Sequence, residues 1–85
     1  MTPSEQIELQ LHMGARQYQL SPREVEVFVH MTRGRTTHKD IGVAMGIQET
    51  TVENHLRMSF TKTQTNDKTA ALVRLLGLGT HDVPA

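Results

Sequence analysis

Apolar and polar positions along the chain fall into five runs of helical period, separated by turn chemistry. Thr2-Pro3-Ser4-Glu5 forms a capping box, with Thr2 as N-cap, Pro3 at the first helical position and Glu5 reaching back from the third. Ile7, Leu11, Ala15 and Tyr18 then recur as one apolar row. Ile7, Leu9, Leu11 and Met13 also alternate, a pattern open to a strand; the cap favours a helix, and Gly14 weakens its second half. Ser21-Pro22-Arg23-Glu24 repeats the box ahead of a long amphipathic run to Gly34. Thr37 with Asp40 three residues on marks a third start, for a short helix to Met45 with Ile41 and Met45 turned inward.

Gly46 suits the left-handed residue that ends this short helix, and the stretch Gly46 to Lys62 supplies the next one. At 100° per residue, Val52, Leu56, Ser59 and Thr63 share one face, flanked by His55 and Phe60. Thr50, Glu53, Asn54, Arg57 and Thr61 fall opposite. One face docks and the other is free to read a partner, so the pair of helices has a helix-turn-helix pattern. Asn66-Asp67 caps a last helix from Lys68 to about Leu78. Its Ala71, Leu72, Val73, Leu75, Leu76 and Leu78 cover too much of the circumference for one core face, so part of that surface needs another partner.

Leu20-Ser-Pro-Arg-Glu, Gly34, Lys39-Asp-Ile41, Gly46-Ile47, Thr51-Val52 and His55 resemble the DNA-binding domain of LuxR-type (GerE-type) bacterial transcription regulators, from Leu20 to about Leu76. The resemblance implies an all-α fold with a four-helix LuxR-type helix-turn-helix domain over 20–78; the first capping box adds an N-terminal helix in 1–19, and the polar residues 79–85 read as a flexible tail. The resemblance also implies that the 48–62 helix enters the major groove and that the last helix forms a two-fold contact, which falls here on Leu72, Val73, Leu75 and Leu76. Val27, Phe28 and Met31 match core positions of the family's first helix. Val25 and Val29 stand where the family is usually polar, and two readings follow: packing on the N-terminal helix, which is favoured, or a partner surface. The chain also departs from the pattern in one extra residue between Gly34 and Ile41, in Gln48 for the usual Ser, in Glu53 for Lys, and in Ser59, Thr63 and Thr65 for aliphatic residues, with Phe60 expected to turn inward to compensate.

On this reading Thr50, Glu53, Asn54 and Arg57 are the candidates for base contacts, with Glu53 and Arg57 in the favourable order for an i,i+4 ion pair. Arg35, Thr36, Thr37, His38 and Lys39 lie at the entrance of the short helix, where a helix N-terminus and side-chain donors meet a phosphate. Thr51, His55, Thr61, Lys62 and Lys68 complete the candidate phosphate contacts.

Composition narrows the choice. At 85 residues there is room for one domain, which buries only roughly 60–65% of its unfolded surface, so association would add stability. There is no cysteine, which excludes disulfides and cysteine-ligated zinc. The five histidines, at 12, 30, 38, 55 and 81, have no metal-ligand spacing; no cofactor and no catalytic constellation is expected. No apolar run approaches the roughly 20 residues of a membrane span, and a cytoplasmic, nucleoid-associated protein is expected. Net charge is zero, unusual for a DNA-binding domain. Residues 1–32 carry two basic side chains against four acidic ones, whereas 33–68 carry six against four, so the positive excess sits weakly on the reading half.

Two functions follow. The favoured one is a sequence-specific regulator, a homodimer on double-stranded DNA. The other is a degenerate helix-turn-helix module that binds another transcription regulator or an RNA polymerase subunit through its apolar surfaces.

Overall fold

A computed structural model describes residues 1–78; the tail expected over 79–85 lies outside the described residues. Among the described residues the chain is all-helical: α1 (Pro3–Gln17), α2 (Pro22–Thr32), α3 (His38–Met45), α4 (Glu49–Thr63) and α5 (Lys68–Leu75). Both capping boxes form. Thr2 Oγ1 accepts from the Glu5 amide and Ser21 Oγ from the Glu24 amide, while each glutamate accepts from the N-cap amide in return. Thr37 and Asp67 cap α3 and α5 through the amides of Asp40 and Ala70. Gly46 ends α3 at φ 72°, where a side chain would be strained, and turns the chain into α4 within three residues. The last helix is shorter than its apolar run: it stops at Leu75, and Leu76 to Leu78 form a turn.

α4 is the central element, packing against α2, α3 and α5, while α1 lies across α2 and α5. The core is built from Leu11, Val27, Phe28, Ile41, Val52, Leu56, Ala71 and Leu75, contributed by all five helices. α1 is therefore part of the core, not an appendage. It continues as a helix through Gly14 because it crosses α5 there in backbone contact: a Cβ at Gly14 would lie 1.8 Å from the Leu75 carbonyl oxygen. A bidentate pair from Arg33 to Glu8, both contacts 3.1 Å, ties the other side of α1 to the end of α2. Val25 is buried and Val29 half-buried, and both line an open groove bordered by Glu8, His12, Ala15 and Arg16 of α1.

The far end of α4 has a polar core. Ser59 and Thr63 are both fully buried, and their hydroxyls donate to the carbonyls of His55 and Ser59, each at 2.8 Å. Such bonds inside the helix satisfy the hydroxyls without recruiting a partner from another element. Phe60 is half-buried against the core beside them.

Candidate nucleic-acid interface

The arrangement of α3, the Gly46-Ile47 turn and α4 holds the candidate interface. Val52, Leu56, Ser59 and Thr63 form the buried row of α4, and Gly42 on α3 lets the backbone after the turn approach closely: a Cβ there would meet the Ile47 oxygen at 2.8 Å. Opposite that row, Thr50, Glu53, Asn54, Arg57 and Thr61 are exposed, on the face the periodicity assigns. Met58 joins them at 52% exposure. It lies one turn from Asn54, about 40° away around the axis. Its place on the helical wheel carries that signal, which a search for polar side chains alone passes over.

The side chains on this face pair differently from the expectation. Arg57 donates to Asn54 Oδ1 at 3.1 Å, one turn back, and Glu53 does not take it. Glu53 leans instead towards α3, with Oε1 3.8 Å from His38 Nδ1. The spacing along α4 permits a Glu53–Arg57 pair, but Arg57 bonds to Asn54 and the Glu53 carboxylate lies beside His38 of α3 instead. Between these groups an open groove of about 350 Å³ runs over Leu56 and Phe60, with His38, Glu53, Arg57, Asp67 and Lys68 on its walls.

The candidate phosphate contacts divide into two sets. Thr36, Lys39 and Arg35 are exposed around the start of α3, and Lys39 makes no ion pair among the described residues. Arg35 lies against His30, 3.4 Å from Nδ1. Thr37 Oγ1 is engaged in the cap, and His38 is half-buried beside Glu53. Thr51 and His55 are half-buried on the flank of α4, and Thr61 Oγ1 donates to the Arg57 carbonyl at 3.2 Å.

Two lysines have been drawn into the scaffold. Lys68 Nζ donates to the Thr36 carbonyl at 2.7 Å, pinning the α2–α3 loop to the start of α5. Lys62 Nζ donates to Glu24 Oε1 at 2.7 Å, on the side of α4 that packs against α2. This revises Lys62 from a free cation to one committed to a carboxylate. Burial by itself would raise the pKa of Glu24, but the Lys62 ammonium and the Ser21 amide and hydroxyl outweigh it and hold the carboxyl below its ordinary value. One carboxylate thus closes the capping box of α2 and anchors α4. Nearby, burial and then the charge of Arg35 push the His30 pKa below its ordinary value, against a smaller opposing effect of Glu26.

The residues assigned to a two-fold contact also separate. Leu75 is only 1% exposed, inside the core against α1, and cannot also face a second copy. Leu72, Val73 and Leu76 are half-buried and keep part of their surface outward.

A buried-row helix set by a tight turn against a shorter one, with its outer face polar, defines a helix-turn-helix domain of the DNA-binding class. Residues 18–75 match the family model GerE, bacterial regulatory proteins of the luxR family, and the chain belongs to that family. The match begins at Tyr18, so α1 lies outside it. Comparison with curated proteins and with solved structures gives no match.

Proposed function

We propose that this domain is a sequence-specific transcription regulator that binds double-stranded DNA as a homodimer, each copy laying α4 in the major groove with half-sites about one helical turn apart. The observation that carries the reading is the division of α4: a buried row holds it to the scaffold, and Thr50, Asn54, Arg57 and Met58 stand clear on the outer face. Asn54 suits the N6 and N7 edge of adenine, Arg57 the O6 and N7 edge of guanine, and Met58 a thymine methyl. Glu53 accepts from the exocyclic amine of cytosine and repels phosphates, which keeps non-specific affinity low. Lys39, Arg35 and the backbone at the start of α3 take the phosphates. Val73, Leu72 and Leu76 supply the two-fold contact. No described helix is long and apolar enough to cross a membrane, in keeping with a cytoplasmic, nucleoid-associated role.

A second reading, a protein-binding module for another regulator or a polymerase subunit, is favoured by one set of observations: Lys62 and Lys68 are spent inside the scaffold, in a chain of zero net charge. Fluorescence anisotropy over a salt series, on random duplexes and on duplexes selected from a pool, separates the two. DNA reading gives a selected site bound at least ~10³-fold more tightly than random sequence, with a shallow salt slope of about −0.9 per phosphate neutralised. Glu53→Lys then raises random-sequence affinity and steepens the slope. Absence of binding to any duplex at low salt, with binding created by Glu53→Lys, establishes the second reading instead.

A further inference from the structure

An alternating apolar pattern wound into a helix puts apolar side chains on both of its sides, and α1 is such a helix. Leu11, Gly14 and Ala15 form its buried side. Leu9 and Met13, one turn apart, stand about 160–200° around the axis from Leu11. They are 49% and 57% exposed. Neither is needed by the core.

The same outer stripe carries Glu5 one turn before Leu9 and Arg16 three residues after Met13. Glu5 is held at the helix start by the Thr2 amide and hydroxyl, both donating to Oε1. Arg16 is exposed and has no ion pair among the described residues. From N- to C-terminus the stripe is acid, apolar, apolar, base. A stripe of that order is complementary to its own reversed copy. In an antiparallel pair, Leu9 meets Met13 twice and Glu5 meets Arg16 twice, and the two kinds of pair come level to within one residue, about 1.5 Å of rise. A parallel pair sets like charges opposite each other.

We propose that the outer face of α1 is a self-association surface for a second copy of this chain, docked antiparallel with Leu9 against Met13 and Glu5 against Arg16. It is isologous, as a two-fold contact must be. Two half-exposed apolar side chains per copy make an interface well below the roughly 1,200 Å² of stable complexes, so the contact is weak and closes where copies are concentrated. It is separate from the α5 contact of the proposed regulator. If that reading holds, the two surfaces together link DNA-bound dimers into an open array, because two different two-fold contacts on one chain need not close.

The chain has no cysteine, so single-cysteine variants report the contact without background. Leu9→Cys and Met13→Cys, mixed at high micromolar concentration and oxidised, are expected to give the mixed 9-to-13 dimer in excess of both self-linked dimers. A statistical mixture, or an excess of the self-linked forms, overturns the proposal. In sedimentation experiments on the full chain, Met13→Lys is expected to weaken the association step seen at high micromolar concentration about tenfold or more with an unchanged Tm, leaving any tighter α5 dimer in place, and an unchanged high-concentration step overturns it. DNA affinity of Met13→Lys at limiting dilution tests the regulator reading separately, because α1 packs on α2 and α5 and the proposed reading face is on α4.

Discussion

The helices α1 and α2 and the helix α4 are stabilised by different means. α1 and α2 each begin with a complete capping box and bury aliphatic side chains, α2 also the aromatic Phe28, and they are tied together by the bidentate Glu8–Arg33 pair. α4 begins at Gln48 with no side-chain cap and ends with two buried hydroxyls, Ser59 and Thr63, in its core row. Among the described residues, the ion pair that ties its second half to another helix is Lys62, reaching across to Glu24. The complete caps and the bidentate ion pair therefore lie in α1 and α2, and α4, the proposed reading helix, is held chiefly by its packing against α2, α3 and α5. An element that must meet a partner gains from the freedom to adjust, and a small domain cannot lose much more before it unfolds.

Removing the scaffold breaks this comparison most severely. Deleting residues 1–17 strips Leu11 and Ala15 from the core and uncovers Leu75, Val25 and Val29; we expect loss of cooperative unfolding or aggregation, read by circular dichroism on heating. Leu11→Ala is the milder form and should cost about 2–5 kcal/mol. An unchanged Tm after the deletion would show that the 18–78 core stands alone and that α1 is an accessory.

The tie between the two regions comes next. Lys62→Met leaves the Glu24 carboxylate nearly buried without its cation and should cost about 1–3 kcal/mol at neutral pH. The pH dependence follows from the lowered pKa of Glu24. Its contribution is fully present above the ordinary carboxyl value of 4.5 and is lost as the pH falls through the lower value of the folded state. Lys62→Met should flatten the acid limb of a denaturant-derived stability curve in that range. If the variant retains the wild-type acid limb, Glu24 does not couple α2 to α4 through this pair.

Two smaller changes sharpen the contrast by making α4 resemble α2. Thr63→Val replaces a hydroxyl that only bonds within its own helix and to Thr65, and should raise stability by up to about 1 kcal/mol in chemical denaturation. Gln48→Ser supplies the missing cap on a backbone already in the extended N-cap conformation, worth about 0.5–1 kcal/mol. Should either lower stability, the polar core or the open helix start would be serving packing that the present contacts do not reveal. Both variants are also expected to keep DNA reading, since neither side chain is among the proposed base contacts.

Much of the fold is legible in the sequence. The capping boxes, the left-handed Gly46 and the face division of α4 all depend on residues within a turn or two of one another, and the fold class follows from them together with the family resemblance. The expectations that fail have a different character. Glu53 and Arg57 have the right spacing to pair, yet Asn54 takes Arg57 and Glu53 lies beside His38, which comes from another helix. Leu75 looks like one more apolar residue on an all-apolar helix until α1 lies over it. Lys62 reads as one more cation near the reading face until Glu24, far earlier in the sequence, closes on it.

What the sequence determined by itself, then, was where each helix starts and which of its faces is apolar, because caps, turns and periodicity are settled by neighbours along the chain. The tertiary structure alone decided which polar and charged groups remain available. Lys62 with Glu24, Lys68 with Thr36 and Arg33 with Glu8 join residues 38, 32 and 25 positions apart. Such partners are chosen by distance in space after the helices have packed, and no local pattern encodes that distance.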